Sequence, residues 1–248
     1  MSNLKALLPK TPVETHKAFK ACEPGFLHVD VGYLPQMADG EADQKAVRGT
    51  VFPPNARRYL FVAIDRATRW EFVRILPAKT AANARRFLQG LHRACPIRIA
   101  RILTDRAIGT PLVRETMARG KEFTDRRFAS RAGAASGSHE FDPLCAELGI
   151  EHRLTPPKSP QKSPQKSPQT NGMVERLNGR SADVLKTNRF DSALDPEQTL
   201  MRYVALYNVQ LPQSDLGSRT PMQAMNDWHK SHPHIFVKSP RNLPGRDR

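Results

Sequence analysis

Apolar and polar residues alternate over residues 26–31 (FLHVDV). A strand there places Leu27, Val29 and Val31 on one face and His28 and Asp30 on the other. The runs at 59–65 (YLFVAID) and 70–76 (WEFVRIL) predict a hairpin that turns through residues 66–69. Thr80 then stands as the N-cap of a helix, TAANARRFLQGLHRA, with Phe87, Leu88 and Leu91 on its buried side. Residues 97–104 predict a further strand that ends at Asp105. A helix over 142–148 has a start signal in Asp142 and a stop in Gly149, and a short strand follows at 150–154. Over 172–188 a helical period aligns Met173, Leu177 and Val184, flanked by Val174 and Leu185, into an inward stripe. Glu175 points away from that stripe, among Asn178, Gly179, Ala182 and Lys186. A last helix is predicted over 196–207.

Between these elements the pattern changes. Residues 1–25 form a mixed leader, 35–58 a polar loop, and 106–140 a Gly-, Ser-, Ala- and Arg-rich stretch with at most a short helix near 111–119. The tetrapeptide KSPQ repeats in tandem at 158–161, 162–165 and 166–169. Proline at every fourth position blocks helix and central strand, so an extended basic tether is expected there. From about residue 230 the chain is Pro-, His- and Arg-rich, and a frayed, flexible tail is expected over 230–248. Strands followed by interleaved helices and strands define an α/β architecture: a mixed sheet flanked by helices.

The chain has 248 residues, 39 Lys+Arg against 24 Asp+Glu, a formal net charge of +15 and a pI of 10.2. With 39% hydrophobic residues it has enough apolar material for a packed core, which excludes a wholly disordered chain. No apolar run approaches the ~18 residues of a membrane span, and residues 1–10 lack a signal-peptide core. Cys22, Cys95 and Cys145 are odd in number and far apart, which fits neither a disulfide framework nor a zinc site and suits a reducing cytoplasm. The positive charge favours a polyanionic partner, because each neutralised phosphate releases counterions.

Three carboxylates then need explaining. Asp30 sits inside an apolar strand and Asp105 at the mouth of another, positions that are costly without a cation or several hydrogen bonds. Glu175 starts a helix whose own face carries small residues, so another group can approach it closely. Acidic groups delivered by two strands and a helix suit a hard cation such as Mg²⁺. A pair of such ions clamps the attacking and leaving oxygens of a phosphodiester. Asp65 ends a strand as well as Asp105 does, and its simpler role is to cap the 66–69 turn.

The stretches HVDVGYLP, YLFVAIDRATRW, RIARILTD, GKEFTDRRF and above all QTNGMVERLNGR resemble the catalytic core of integrase-type transposases from bacterial insertion sequences. The likeness spans residues 26–236 and includes YNVQLPQSDLGSRTPMQAM at 207–225. It implies a ribonuclease-H-like fold with a core domain over 26–229, and Asp30, Asp105 and Glu175 as the D-D-E triad. Asp65 remains a turn residue. It further implies two Mg²⁺ or Mn²⁺ ions, cleavage at transposon DNA ends, strand transfer into target DNA without a covalent protein intermediate, and a homo-oligomer holding two ends. A nucleoid-associated bacterial location goes with that activity.

Residues 151–190 hold eight Lys/Arg and three Asp/Glu. Lys158, Lys162, Lys166, Arg176, Asn178, Arg180 and Lys186 are accordingly the candidate DNA contacts, with Arg189 beside them. His28 is expected to be packed or hydrogen-bonded. His229, His232 and His234 are assigned to the polar tail rather than to a metal, and Trp70 and Phe72 to the core.

The sequence departs from the family pattern in three places. Arg106 replaces the Asn-Gly turn that usually follows Thr-Asp, and Gly120-Lys121-Glu122-Phe123 arrives only after the added residues 106–120. The KSPQ repeat lengthens the approach to Glu175, leaving 69 residues between Asp105 and Glu175. The 25-residue leader is too short for the helix-turn-helix that relatives use to read DNA ends. The alternative to an active transposase is therefore a DNA-binding remnant with a disrupted metal site.

Overall fold

The computed structural model describes residues 22–33, 58–104, 123, 139–154 and 195–240, together with positions 173, 176, 177, 179–181, 183 and 184. The strands are β1 (Phe26–Tyr33), β2 (Tyr59–Asp65), β3 (Glu71–Leu76), β4 (Arg101–Thr104) and β5 (Glu151–Leu154). The helices are α1 (Ala81–Ala94), α2 (Phe141–Glu147), α3 (Asp195–Gln210) and α4 (Pro221–Ser231). The described positions between 173 and 184 are helical as well. The strands form one sheet in the order β3-β2-β1-β4-β5. β1, β2 and β3 are antiparallel neighbours, while β4 and β5 run parallel to β1. The parallel pairs need crossovers, and α1 and α2 lie in the connections that lead to β4 and β5.

The alternation in β1 divides the molecule into two layers. Leu27, Val29 and Val31 join Phe61, Ala63, Trp70, Phe72 and Ile102 beneath α1 and α2. Leu60, Val62, Ile64, Val73 and Ile75 form the opposite face, packed against Met173 and Leu177 and against Leu200 and Val204 of α3. Phe87, Leu88 and Leu91 are fully buried, as their period in α1 predicts, and the Thr80 hydroxyl accepts from the Asn83 amide. Phe123 lies in the first core, edge-on to Phe61 and Phe141. The aromatic of the G-K-E-F motif thus keeps a core position despite the residues added before it.

Several boundaries differ from expectation. β4 begins at Arg101 rather than at 97, because Ile97 bridges to Phe236 and the Ala100 and Arg101 amides both donate to Gly25 O. The same contacts overturn the frayed tail at its start. Arg98 N donates to Ile235 O and Val237 N to Pro96 O, so the chain past residue 230 is tied back to the α1–β4 connection. His229 packs edge-on to Phe236 and His232 against Trp228. α2 starts one residue early, and Asp142 is not its cap; the carboxylate turns to His152 instead. Gly149 ends that helix as expected, at φ +68°, a left-handed conformation that suits glycine. α3 runs on to Gln210. α4 was not predicted: Thr220 and Gln223 form a capping box and Pro221 opens the first turn. The expectations for the leader up to 21, the loop 35–57, the short helix near 111–119 and the KSPQ repeat lie outside the described residues.

Candidate functional site

Asp30 is a half-buried residue in the middle of β1. Its cross-strand partner on β2 is Val62, and the partner of His28 is Ile64. Paired residues in a sheet project to the same side. Asp30 therefore belongs to the face that Met173 and Leu177 cover. On the other side of β1, the parallel register sets Val29 opposite Thr104. The residue before Asp30 is thus paired with the residue before Asp105. Asp105 and Glu175 themselves lie outside the described residues, as do Lys158, Lys162, Lys166, Asn178 and Lys186.

Asp65, the competing strand-end acid, is fully buried and engaged in a turn. Its Oδ2 accepts from the Ala67 amide at 3.1 Å, the Thr68 amide at 2.8 Å and the Thr68 hydroxyl at 2.8 Å. Its Oδ1 accepts from the Gly25 amide at 2.8 Å. Burial pushes this carboxyl above its usual range against the pull of those donors. The side chain closes the β2–β3 turn and pins the entry to β1, as the simpler sequence reading holds.

The helical segment at 173–184 is fixed to β3 by a buried cluster. Arg180 Nη2 donates to Glu71 Oε1 at 2.7 Å, and the guanidinium lies over the Tyr207 ring, 4.5 Å from its centroid. Asn208 clasps the Glu71 backbone, accepting from its amide at 2.9 Å and donating to its carbonyl at 2.8 Å. Burial raises the Glu71 carboxyl to about 8, with the Arg180 charge opposing the rise. Arg180, expected to meet DNA, pairs with a buried acid through Nη2 and keeps about a third of its side chain in solvent. Arg176 is exposed. At the other end of the segment, Arg69 reaches Met173 Sδ and pairs with Asp215 at 3.3 Å.

Sequence reasoning missed Glu71, Tyr207 and Asn208. The signal was a lone acid in the mostly apolar WEFVRIL run, together with the Tyr-Asn pair in the 207–225 motif. It also missed a buried chain on the α2 side, in which Thr104 Oγ1 lies 2.8 Å from His152 Nε2 and His152 Nδ1 lies 2.7 Å from Asp142 Oδ1.

His28 is buried, with its ring 5.3 Å from that of Phe26. Among the described residues no group of three His, Cys, Asp or Glu side chains is placed to hold a metal, the 229–234 histidines included. A cavity of about 480 Å³ lies between the β2–β3 turn and α4, lined by Arg66, Arg69, Asp215, Arg219 and Trp228. It opens at the end of the sheet where β1 begins, and Asp30 is not part of its wall. No helix of the described residues is long and apolar enough to cross a membrane.

A mixed five-stranded sheet in this order, with three antiparallel strands, two parallel ones and helices on both faces, is the ribonuclease-H-like fold. The catalytic core domain of BIV integrase shares it with a TM-score of 0.51 at 15% identity, over 84% of this chain and 98% of that chain. Residues 148–221 match the family model "Integrase core domain". The likeness in sequence is thus to the integrase core domain over residues 148–221, and the likeness in structure is one of fold. No curated protein matches the chain.

Proposed function

We propose that this chain is the catalytic core of a DNA transposase, with Asp30, Asp105 and Glu175 as the acidic triad. The observation that carries the proposal is the β1–β4 register. Thr104 lies opposite Val29, and the next residue on each strand is an aspartate. Consecutive Cα atoms are 3.8 Å apart, so a β4 continued by one residue in the same register would set Asp105 beside Asp30. Side chains alternate along a strand, so both carboxylates then share the face covered by the helical segment that carries Glu175. Two carboxylates side by side at the edge of an apolar layer repel unless one keeps its proton or a cation lies between them, and a divalent cation relieves both at once.

The donor set fits Mg²⁺ or Mn²⁺, because it offers carboxylate oxygens alone, the ligands a hard cation takes together with water and phosphate. Bound there, two such ions would supply Lewis-acid stabilisation and a deprotonated water or 3′-hydroxyl for phosphodiester chemistry. The chain's own part is placement. β1 and β4 hold the residues before Asp30 and Asp105 in fixed register, and Glu71 with Arg180 ties the helical segment at 173–184 to β3. Arg176 on that helix, with Lys158, Lys162, Lys166, Asn178 and Lys186, supplies phosphate contacts, and the protein works as a homo-oligomer on paired DNA ends. Phe123 takes a core position beyond residues 106–120, and a long surface insertion costs little entropy, so the extra length is compatible with an assembled site.

The test is a nicking and strand-transfer assay on labelled duplex ends with Mg²⁺ or Mn²⁺. Product is expected from the wild type and none above background from Asp30→Asn, Asp105→Asn or Glu175→Gln. Activity that survives Glu175→Gln rejects the triad. DNA binding without product from the wild type would make the chain a binding remnant.

A further inference from the structure

We propose that the buried chain Thr104–His152–Asp142 is a positioning device for the acidic site, acting on Asp105 through the end of β4. This rests on the assignment of Asp105 as a metal-binding carboxylate. All three side chains are at least nine-tenths buried, and they come from β4, β5 and α2. His152 is paired in register with Ile102, so its ring lies on the α1–α2 side of the sheet, opposite to Asp30. Its Nδ1 is 2.7 Å from Asp142 Oδ1 and its Nε2 is 2.8 Å from Thr104 Oγ1. In the neutral ring the Nδ1–H donates to the carboxylate, which leaves Nε2 to accept from the threonine hydroxyl. Phe141 packs edge-on against the ring at 5.1 Å and blocks its rotation.

The order of groups is that of a hydroxyl nucleophile with its base and orienting acid, but that chemistry is excluded here. Thr104 is 1% exposed, so no substrate reaches its oxygen. What the chain does fix is the Thr104 rotamer, and with it the last residue of β4 before Asp105. Thr104 lies between Val29 on β1 and Leu154 on β5. A buried polar chain in an apolar layer is costly unless every member is satisfied, so it tolerates one arrangement. Val or Ile at 104 would pack as well without that demand. Outer residues that orient a metal-binding carboxylate alter metal affinity by about 10–100-fold.

The experiment measures Mn²⁺ binding to the full chain by electron paramagnetic resonance, beside thermal melting, for Thr104→Val, Thr104→Ser, His152→Gln and Asp105→Asn. Thr104→Val keeps the shape and the fold while removing the hydroxyl. Expected is a Mn²⁺ dissociation constant raised by about 10-fold or more in Thr104→Val and His152→Gln, restored in Thr104→Ser, which keeps the donor. Thr104→Val melting lower with unchanged Mn²⁺ affinity, while Asp105→Asn loses the ion, makes the chain purely structural and overturns this inference alone. Unchanged Mn²⁺ binding in Asp105→Asn overturns the underlying site assignment as well.

Discussion

Arg180 donates to Glu71 at 2.7 Å across 109 residues of sequence, and the contact joins the helical segment at 173–184 to an edge strand of the sheet. The carboxylate is fully buried while the arginine keeps about a third of its side chain in solvent. Truncating the arginine therefore strands an acid in the apolar layer that also holds Leu177 and Val73. Arg180→Met should cost about 3 kcal/mol at pH 8 and above, read by urea unfolding. The sign of the pH dependence follows from the raised carboxyl. Folded Glu71 holds its proton up to about 8, against 4.5 for an ordinary glutamate. Its contribution is complete below about 4.5 and declines as the pH rises through about 8. Glu71→Gln should flatten that decline, and the Arg180→Met deficit should shrink at pH 5, where Glu71 is neutral with or without its partner.

Asp65 and Asp30 should separate cleanly by experiment. Asp65 accepts four hydrogen bonds from Gly25, Ala67 and Thr68. Asp65→Ala leaves those donors buried and unmatched, at a cost of about 3–5 kcal/mol. Asp65→Asn keeps one carbonyl acceptor and should cost about half as much. Neither change should lower strand transfer per folded molecule, measured below the melting range, whereas Asp30→Asn should abolish transfer with a melting temperature at or above that of the wild type. A catalytic loss in Asp65→Asn without a stability loss would contradict the turn assignment.

Gly25 is held at φ +100° where the chain enters β1, with its amide on Asp65 and its carbonyl taking the amides of Ala100 and Arg101. A Cβ there would sit 2.5 Å from Arg98 O, a backbone atom with little room to retreat. Gly25→Ala should destabilise by about 3 kcal/mol, from the left-handed strain and the clash together. Amide exchange should quicken at Ala100 and Arg101 before it does in α3.

The parts of this fold that sequence made legible are those whose side chains obey a local period. Leu27, Val29 and Val31 against His28 and Asp30, the apolar face of α1, and Gly149 at the end of α2 follow from spacing and backbone freedom alone. The choice of Asp105 over Asp65 for the proposed triad rests on the resemblance that QTNGMVERLNG carries and not on spacing, which treats the two alike. What escaped was set by partners far along the chain. Nothing near Arg180 announces Glu71, and a cluster of cations invites a phosphate reading until the buried acid is seen. The tail was misjudged for the same reason. Ile235, Phe236 and Val237 are a short apolar run in a polar stretch, and the distant Ile97 and Pro96 give it a place. Asp142 reads as a helix start, yet His152 on the next strand captures its carboxylate.

The Tyr-Asn pair at the end of α3 is structural in this chain, and a last prediction tests that. Asn208 is buried, and its amide group matches both the donor and the acceptor of the Glu71 backbone. β3 is an edge strand, so the first residue of its exposed ladder would otherwise depend on water that the Tyr207 ring and the Arg180 stem exclude. An apolar isostere leaves one donor and one acceptor unmatched. Asn208→Leu should therefore cost about 2–4 kcal/mol by urea unfolding, while Asn208→Asp, which keeps the acceptor but loses the donor and sets a second acid beside Glu71, should be worse above pH 8 than below pH 5. DNA affinity of the folded protein at fixed salt should stay within about two-fold of the wild type in Asn208→Leu, because the side chain reaches no solvent-facing phosphate contact. A salt-dependent loss of DNA binding at unchanged stability would instead place Asn208 at the nucleic-acid surface.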